Sequence, residues 1–166
     1  ENAVTDNNTI TLQRTNGSVL TDGTTYSDCK ISVTDNASNT SDNLTVNTFT
    51  VDVTPPTLNY VTGGRIPTPD NDSTPDYTFN SSEAGNITYS GNCGSSTSSV
   101  ATSGDNTVTL TQPDNATALG DGTYNNCTIK VTDNASNEGS NLDVATFIIG
   151  ATTPALEEKT AVTTPT

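Results

Sequence analysis

The residues of this chain most able to do chemistry are carboxylates grouped in turns, such as Asp70 and Asp72 in a Pro-rich segment and Asp35 and Asp133 in a repeated hairpin. Clustered oxygen ligands suit calcium, which takes about 6 to 8 of them. Asp also populates turns simply because it accepts hydrogen bonds from the local backbone, and this alternative stays open. Ser–His and Cys–His catalysis is excluded because the chain has no histidine. We therefore predict that it is not an enzyme.

The three cysteines are the second chemical feature. Cys29, Cys93 and Cys127 form no C-x-x-C pair, and without histidine a zinc site is not expected. Disulfide formation in an oxidising compartment is the better interpretation, which predicts an extracellular protein.

Charge excludes two classes of partner. The chain has 5 basic and 19 acidic residues and a net charge of −14. Binding to nucleic acid needs Lys and Arg to neutralise phosphates, and an anionic membrane surface also attracts basic segments. No apolar run approaches the roughly 20 residues that span a bilayer. We predict neither nucleic-acid binding nor membrane insertion by this segment.

An internal repeat organises the chain. Thr34–Asn39 recurs unchanged as Thr132–Asn137, a shift of 132 − 34 = 98 residues that also relates Cys29 to Cys127. A period of roughly 100 residues matches one β-sandwich domain. The predicted divisions are the C-terminal part of one repeat at 1–53, a complete repeat at 54–151, and the start of a further repeat or a linker tail at 152–166.

Alternating apolar residues predict the strands that must position these groups. Tyr77 and Phe79 alternate on one segment, and Ile87 and Tyr89 alternate on the next. About seven such strands with polar turns between them predict an all-β Greek-key sandwich. We expect the strands 7–12, 26–35 and 43–51 to match 105–110, 124–133 and 141–149.

The last strand changes the parity of its apolar residues. Phe147 and Ile149 are out of step with Leu142 and Val144. The expected cause is a β-bulge.

Three motifs resemble a known family. Leu119–Tyr124, Val131–Asn137 and Pro67–Pro75 are similar to the bacterial Ig-like repeats of large cell-surface adhesins, which commonly carry a D-G-x-Y entry to the penultimate strand and a T-D-x-A-x-N hairpin after it. The resemblance implies tandem immunoglobulin-like domains at a bacterial cell surface. Tyr26 and Tyr124 are the expected tyrosine corners, whose hydroxyls bond back to the backbone.

An Ig-type sheet makes its third and sixth strands neighbours. On that basis we predict a disulfide between Cys93 and Cys127, which closes a loop of 127 − 93 = 34 residues. The same shift places the partner of Cys29 before Glu1, so we expect Cys29 to be unpaired or bonded to something upstream.

Ig-type geometry also groups the acidic residues at the two poles of each domain. One group, which suits a calcium ion at the junction between repeats, consists of Asp22, Asp52, Glu83, Asp133 and Asn134. A second group at the far pole consists of Asp70, Asp72 and Asp121. The alternative is that water and monovalent ions screen these charges without any calcium.

The predicted function is structural: a spacer or stalk segment that projects a binding tip from the cell. The short linker at Pro55–Pro56 is stiff, which favours an extended rod. The predicted partners are adjacent repeats of the same or neighbouring chains, and the sequence does not indicate what the tip binds. Two alternatives stay open. One is a filament subunit completed by a neighbour's strand, and the other is a carbohydrate-binding adhesive module that stacks sugars on Tyr60, Tyr77 or Tyr89.

Overall fold

The structure is a computed structural model that describes residues 7–156. Every regular element in this range is a β-strand. No helix occurs in this range. The chain divides into unit 1 (Glu1–Thr54) and unit 2 (Pro55–Thr166). The predicted tail at 152–166 lies mostly outside the described residues.

Unit 1 contains four very short strands that form two antiparallel pairs. The strands are β1 (Thr25–Tyr26), β2 (Lys30–Ile31), β3 (Leu44–Thr45) and β4 (Phe49–Thr50). Strand β1 pairs with β4, and β2 pairs with β3. None of the described residues of unit 1 is fully buried. Two-stranded sheets are marginal in water, so unit 1 has little to stabilise longer strands.

Unit 2 contains ten strands in two four-stranded sheets and one two-stranded sheet. In chain order they are β5 (Leu58–Tyr60), β6 (Asp76–Ser81), β7 (Gly85–Ser90), β8 (Gly94–Ser95), β9 (Val100–Ala101), β10 (Gly104–Thr111), β11 (Gly122–Tyr124), β12 (Thr128–Asp133), β13 (Leu142–Asp143) and β14 (Phe147–Ile149). One sheet has the order β5-β6-β10-β8, the other β13-β12-β7-β9, and β11 pairs with β14.

Both four-stranded sheets contribute alternate residues to one hydrophobic core. Along the middle of β6, β7, β10 and β12, buried apolar side chains alternate with more exposed polar neighbours. The buried polar residues Ser81, Thr111 and Asp133 lie at the ends of these strands. This arrangement is consistent with a β-sandwich. The largest core side chains from these four strands are Tyr77, Phe79, Ile87, Val108, Leu110, Ile129 and Val131.

The strand pairs of unit 1 recur in unit 2 at the shift of 98 residues. The matching pairs, with the same register, are Tyr26↔Phe49 with Tyr124↔Phe147, Ile31↔Leu44 with Ile129↔Leu142, and the isolated bridge Thr34↔Thr40 with Thr132↔Glu138. The hydrogen bond from Val46 N to Cys29 O likewise becomes the bond from Val144 N to Cys127 O. Segments that correspond at this shift thus adopt the same pairing.

Of the six expected strands, only 105–110, which lies within β10, is continuous in the structure. The expected strands 26–35, 43–51 and 141–149 are each divided into two short strands. Residues 7–12 form no strand, whereas the equivalent β10 is held on both sides by β6 and β8. The expected strand 124–133 is interrupted at 125–127, and its two parts join different sheets. Strand formation here depends on a partner as well as on alternation.

The parity change near the C-terminus of unit 2 is a change of partner rather than the expected bulge. Leu142 pairs with β12 in a four-stranded sheet, and Phe147 pairs with β11 in the two-stranded sheet. The chain breaks its strand at 144–146 and crosses between sheets. Both apolar sets are therefore buried, each against its own partner.

A disulfide joins Cys93 and Cys127 in unit 2, with 5.6 Å between their Cα atoms. Cys93 follows β7 and Cys127 precedes β12, and these two strands pair with each other. Both residues belong to the hydrophobic core. Cys29 is a free thiol.

We expect the disulfide to contribute a large share of the stability of unit 2. The double variant Cys93→Ser/Cys127→Ser should lose about 3–4 kcal/mol of unfolding free energy, because the cross-link no longer restricts the unfolded chain. Urea unfolding followed by circular dichroism measures this loss. Cys29→Ser is the matched control and should leave the main transition unchanged; equal losses in the two variants would contradict the assignment.

Candidate functional site

The hairpin Thr132–Asn137 is organised by the carboxylate of Asp133. One Asp133 oxygen accepts hydrogen bonds from the backbone N–H groups of Ala135 and Asn137, both at 2.8 Å. Its other oxygen accepts from Nδ2 of Asn137 at 2.9 Å. Ser136 adopts a positive φ of 72° within this turn. Local hydrogen bonding of this kind is why Asp and Asn are favoured in turns.

The equivalent hairpin in unit 1 has the same geometry. Asp35 accepts from the backbone N–H groups of Ala37 and Asn39 at 2.8 Å and from the Asn39 side chain at 2.9 Å. Ser38 has a φ of 68°. These hydrogen bonds, led by that from the Asn39 side chain, lower the pKa of Asp35. The turn-forming interpretation of this aspartate therefore has a direct structural basis.

Asp133 differs from Asp35 in being buried. Burial raises its pKa, but the hydrogen bonds from Asn137 and Ala135 outweigh burial and leave the pKa below its ordinary value. Gly85 lies opposite Asp133 in the β7–β12 pair. A Cβ at Gly85 would lie 2.3 Å from the carbonyl oxygen of Thr132, so only glycine permits this close approach.

Glu83 is the other predicted calcium ligand of unit 2 that lies beside Asp133. Carboxylate oxygens of the two residues lie within 4.8 Å of each other. Two like charges at this distance favour a bound cation. Asn134 is exposed in the same hairpin. The predicted contributions of Asp22 and Asp52, which belong to unit 1, stay predictions.

Asp22 holds the chain that leaves unit 1. Its carboxylate accepts hydrogen bonds from the backbone N–H of Val53, at 2.9 Å, and from the hydroxyl of Thr54. The Thr54 bond, followed by the Val53 bond, lowers the pKa of Asp22. Asp52 also accepts from the N–H of Thr54, at 3.2 Å.

Asp121 holds the chain that leaves β14 of unit 2 in the same way. It accepts from the N–H of Ala151 at 2.8 Å and from the N–H of Thr152 at 3.3 Å. The Thr152 side chain is the main cause of its lowered pKa. Ala151 and Thr152 correspond to Val53 and Thr54 at the shift of 98. The one sequence signal for this role is the Asp-Gly pair that precedes the corner tyrosine in both copies.

The second predicted calcium group is not gathered in the described structure. Asp70, Asp72 and Asp121 do not bring their carboxylates within 4.8 Å of one another. Asp72 instead accepts from the N–H of Thr74 at 2.8 Å, and Asp70 accepts from the N–H of Asp72 at 3.1 Å. The backbone of Asp70 forms a parallel bridge with Ile149. These residues fix the entry segment of unit 2.

Both predicted corner tyrosines bond to backbone groups upstream. The hydroxyl of Tyr124 donates to the carbonyl of Gly120 at 3.0 Å, and the hydroxyl of Tyr26 accepts from the N–H of Thr21 at 2.9 Å. The first copy contains one extra residue between its Asp-Gly pair and the tyrosine. The geometry of the two corners therefore differs even though each ring stacks on its paired phenylalanine.

Asp114 organises a further turn that the sequence analysis did not single out. Its carboxylate accepts from the N–H groups of Ala116 and Thr117, at 3.0 and 2.8 Å, and from the Thr117 hydroxyl. These bonds, led by that of the Thr117 side chain, lower its pKa. Asn115 in the same turn has a φ of 59° and accepts from the N–H of Ser95. This turn therefore connects β10 with β8.

Of the three tyrosines considered for sugar stacking, Tyr77 is unsuitable. Its side chain is 1% exposed, and among the described residues its hydroxyl has no hydrogen-bond partner. Burial raises its pKa to about 12. Tyr60 is half exposed, with the guanidinium of Arg65 over its ring at 5.4 Å from the centroid.

Tyr89 lines an open cavity of about 570 Å³ in unit 2. Its hydroxyl donates to the carbonyl of Ser98 at 2.9 Å, and burial raises its pKa. Most of the other lining residues are polar: Thr88, Ser95, Ser96, Thr97, Ser98, Ser99 and Asn115. A small polar ligand is the class that this cavity fits.

Comparison with protein-family models, with curated proteins and with solved structures finds no significant match. Within residues 7–156 there is no helix long and apolar enough to cross a membrane.

The hydrogen bonds to Asp114 generate a pH prediction. Because they lower its folded pKa, the stability they contribute is present above the unfolded value of about 3.9 and is lost as pH falls through the lowered folded pKa. NMR titration of Asp114 should show this low pKa. Thr117→Val removes the hydroxyl donor and should raise the pKa towards its ordinary value. A pKa of Asp114 unchanged by Thr117→Val would contradict the assigned cause.

Calcium binding gives a separate prediction. If the ion binds only the folded chain, millimolar calcium should raise the melting midpoint by a few degrees relative to a chelator. Glu83→Gln should diminish this shift, whereas Asp72→Asn, in a carboxylate group that is not gathered, should leave it unchanged. The same midpoint in saturating calcium and in chelator would assign these carboxylates to turn formation alone.

Proposed function

We propose that the chain is a spacer or stalk segment of an extracellular repeat protein, built from tandem Ig-like β-sandwich domains similar to those of bacterial surface adhesins. The observation that carries this proposal is the recurrence of the same strand pairs and hairpin at a shift of 98 residues. A spacer is built from copies of one domain that are joined in the same way at each junction. The partners of such a segment are adjacent repeats of the same or neighbouring chains.

Contacts that hold the chain ends of each unit in place support this role. Asp22 and Asp121 bind the backbone just after the last strand of their units. At the start of unit 2, Pro56 is buried and its carbonyl oxygen approaches Gly139 so closely that a Cβ there would lie 2.4 Å away. Fixed ends transmit orientation from domain to domain better than flexible ends do.

Chemistry favours an extracellular, cell-surface location. The disulfide in unit 2 is consistent with an oxidising compartment. A net charge of −14 disfavours nucleic acid as a partner. No catalytic role is proposed, since the chain lacks histidine and its turn carboxylates serve as hydrogen-bond acceptors for the backbone. If an ion takes part, calcium between repeats is the candidate.

The second candidate function is carbohydrate binding. The cavity beside Tyr89 favours it, because a partly buried ring and a row of hydroxyl groups can stack on and hydrogen-bond a sugar. Tyr60 offers a half-exposed ring of its own. Tyr77 is removed from this hypothesis by its burial.

Small-angle X-ray scattering tests the spacer role directly. In a series of chains with increasing numbers of copies of residues 54–151, the maximum dimension should grow by a constant increment per copy, because stiff connections add lengths linearly. A flexible string grows only as about the square root of the copy number. Square-root growth would contradict a stiff spacer.

A glycan array separates the two candidates. The spacer hypothesis expects no binding by the full chain. Binding that is lost in Tyr89→Ala but kept in Tyr60→Ala would instead favour the carbohydrate hypothesis and the cavity in unit 2.

A further inference from the structure

Unit 1 exposes an apolar surface whose equivalent in unit 2 is core. Leu44 is 67% exposed, whereas Leu142 is 7% exposed; Val33 is 47% exposed, whereas Val131 is fully buried. The strand pairs that carry these residues are the same in the two units. The difference therefore comes from what covers the surface and not from how the back half of the repeat folds.

Unit 2 shows what covers it. Strand β12 lies between β13 and β7, with Ile129 opposite Tyr89 and Val131 opposite Ile87. Strand β6, with Tyr77 and Phe79, supplies the facing core. All of these covering residues lie in the segment 55–102. In the described part of unit 1, the corresponding β2 pairs only with β3.

Two further features of unit 1 match the place that the covering segment occupies in unit 2. An open cavity of about 530 Å³ lies in unit 1 and is lined in part by Leu12, Leu20, Tyr26 and Cys29. Cys29 is a free thiol, whereas its equivalent Cys127 is bonded to Cys93 of the covering segment. A thiol and a cavity thus lie together where unit 2 has a disulfide and packed side chains.

We propose that unit 1 is an acceptor surface for a polypeptide segment with the strand pattern and cysteine of residues 55–102. The segment adds a strand beside β2, as β7 does beside β12, and buries the apolar face that includes Leu44 and Val33. A second copy of this chain is a poorer source, because its own residues 55–102 are held by β10, β12 and the Cys93–Cys127 disulfide. The inference rests on the correspondence at 98 residues and does not require the spacer role.

The docked segment places its own cysteine beside Cys29. The two thiols then form a disulfide by exchange with an added disulfide such as oxidised glutathione. Two S–H bonds and the glutathione S–S bond are broken, the new S–S bond forms, and two molecules of reduced glutathione carry away the two protons and two electrons.

The test adds such a segment to the chain. A second copy of residues 55–102 replaces Glu1–Val4 and continues directly into Thr5, the residue that corresponds to Ser103 at the shift of 98. In a glutathione redox buffer, we expect the Cys29 thiol to disappear and peptide mapping to find it bonded to the added cysteine. Amide hydrogen exchange of residues 26–51 should slow by about tenfold or more. A reactive Cys29 and unchanged exchange would overturn the proposal.

A pair of adjacent substitutions controls for non-specific effects. Leu44→Asp places a charge on the apolar surface and should prevent the slower exchange in unit 1. Thr45→Asp places the same charge one residue away, where unit 2 itself has Asp143, and should permit it. Equal effects of the two variants would overturn the assigned surface. The disulfide and hydrogen exchange of unit 2 serve as an internal check that each variant folds.

The unmodified chain tests whether a second copy of itself supplies the docked segment. If size-exclusion chromatography shows a concentration-dependent dimer in which residues 26–51 are protected, the occupant is a second copy and the proposal is wrong. Failure of the spacer hypothesis in the scattering series would leave the result of these experiments unaffected, so the two ideas fail separately.

Discussion

The structure of unit 2 depends on the placement of β12 between strands from both halves of its repeat. Strand β12 pairs with β7 from the front half and with β13 from the back half. Its inward residues Ile129 and Val131 belong to the same hydrophobic core as the apolar side chains of β6 and β10. Such contacts join residues far apart in the sequence, so neither half can bury its apolar face by itself. The disulfide at the end of the β7–β12 pair reinforces this same connection.

A chain with only 30% hydrophobic residues needs its turns to be well defined, because the core alone is small. Aspartate carboxylates do this repeatedly. Asp35, Asp114 and Asp133 each accept two backbone N–H groups and one side-chain donor. The acidic composition thus reflects local hydrogen bonding at many separate turns, and it would serve this purpose with or without a bound cation.

Much of this organisation is readable from the sequence. The strict copy of Thr34–Asn39 at Thr132–Asn137 predicts identical hairpins, and alternation predicts the positions of β6, β7 and β10. The sequence does not show that residues 7–12 form no strand, nor that the chain changes sheets at 144–146. The sequence also does not show the hydrogen bonds that Asp22 and Asp121 accept from the backbone of Val53 and Ala151, which lie 31 and 30 positions further along the chain. All three depend on contacts between distant segments, which local patterns do not encode.

Unit 1 separates the local from the non-local contributions to this fold. It keeps the stacking of Tyr26 on Phe49, the β2–β3 pair and the full hydrogen bonding of Asp35, all without one fully buried residue among those described. These features need only the back half of the repeat. What unit 1 lacks is burial, which in unit 2 comes from the front half. The back half therefore specifies its own strand register in advance, and the front half supplies the hydrophobic free energy that makes this arrangement a stable domain. This division of roles is the physical basis of the proposed acceptor surface, because the register of β2 and β3 is set within unit 1 itself.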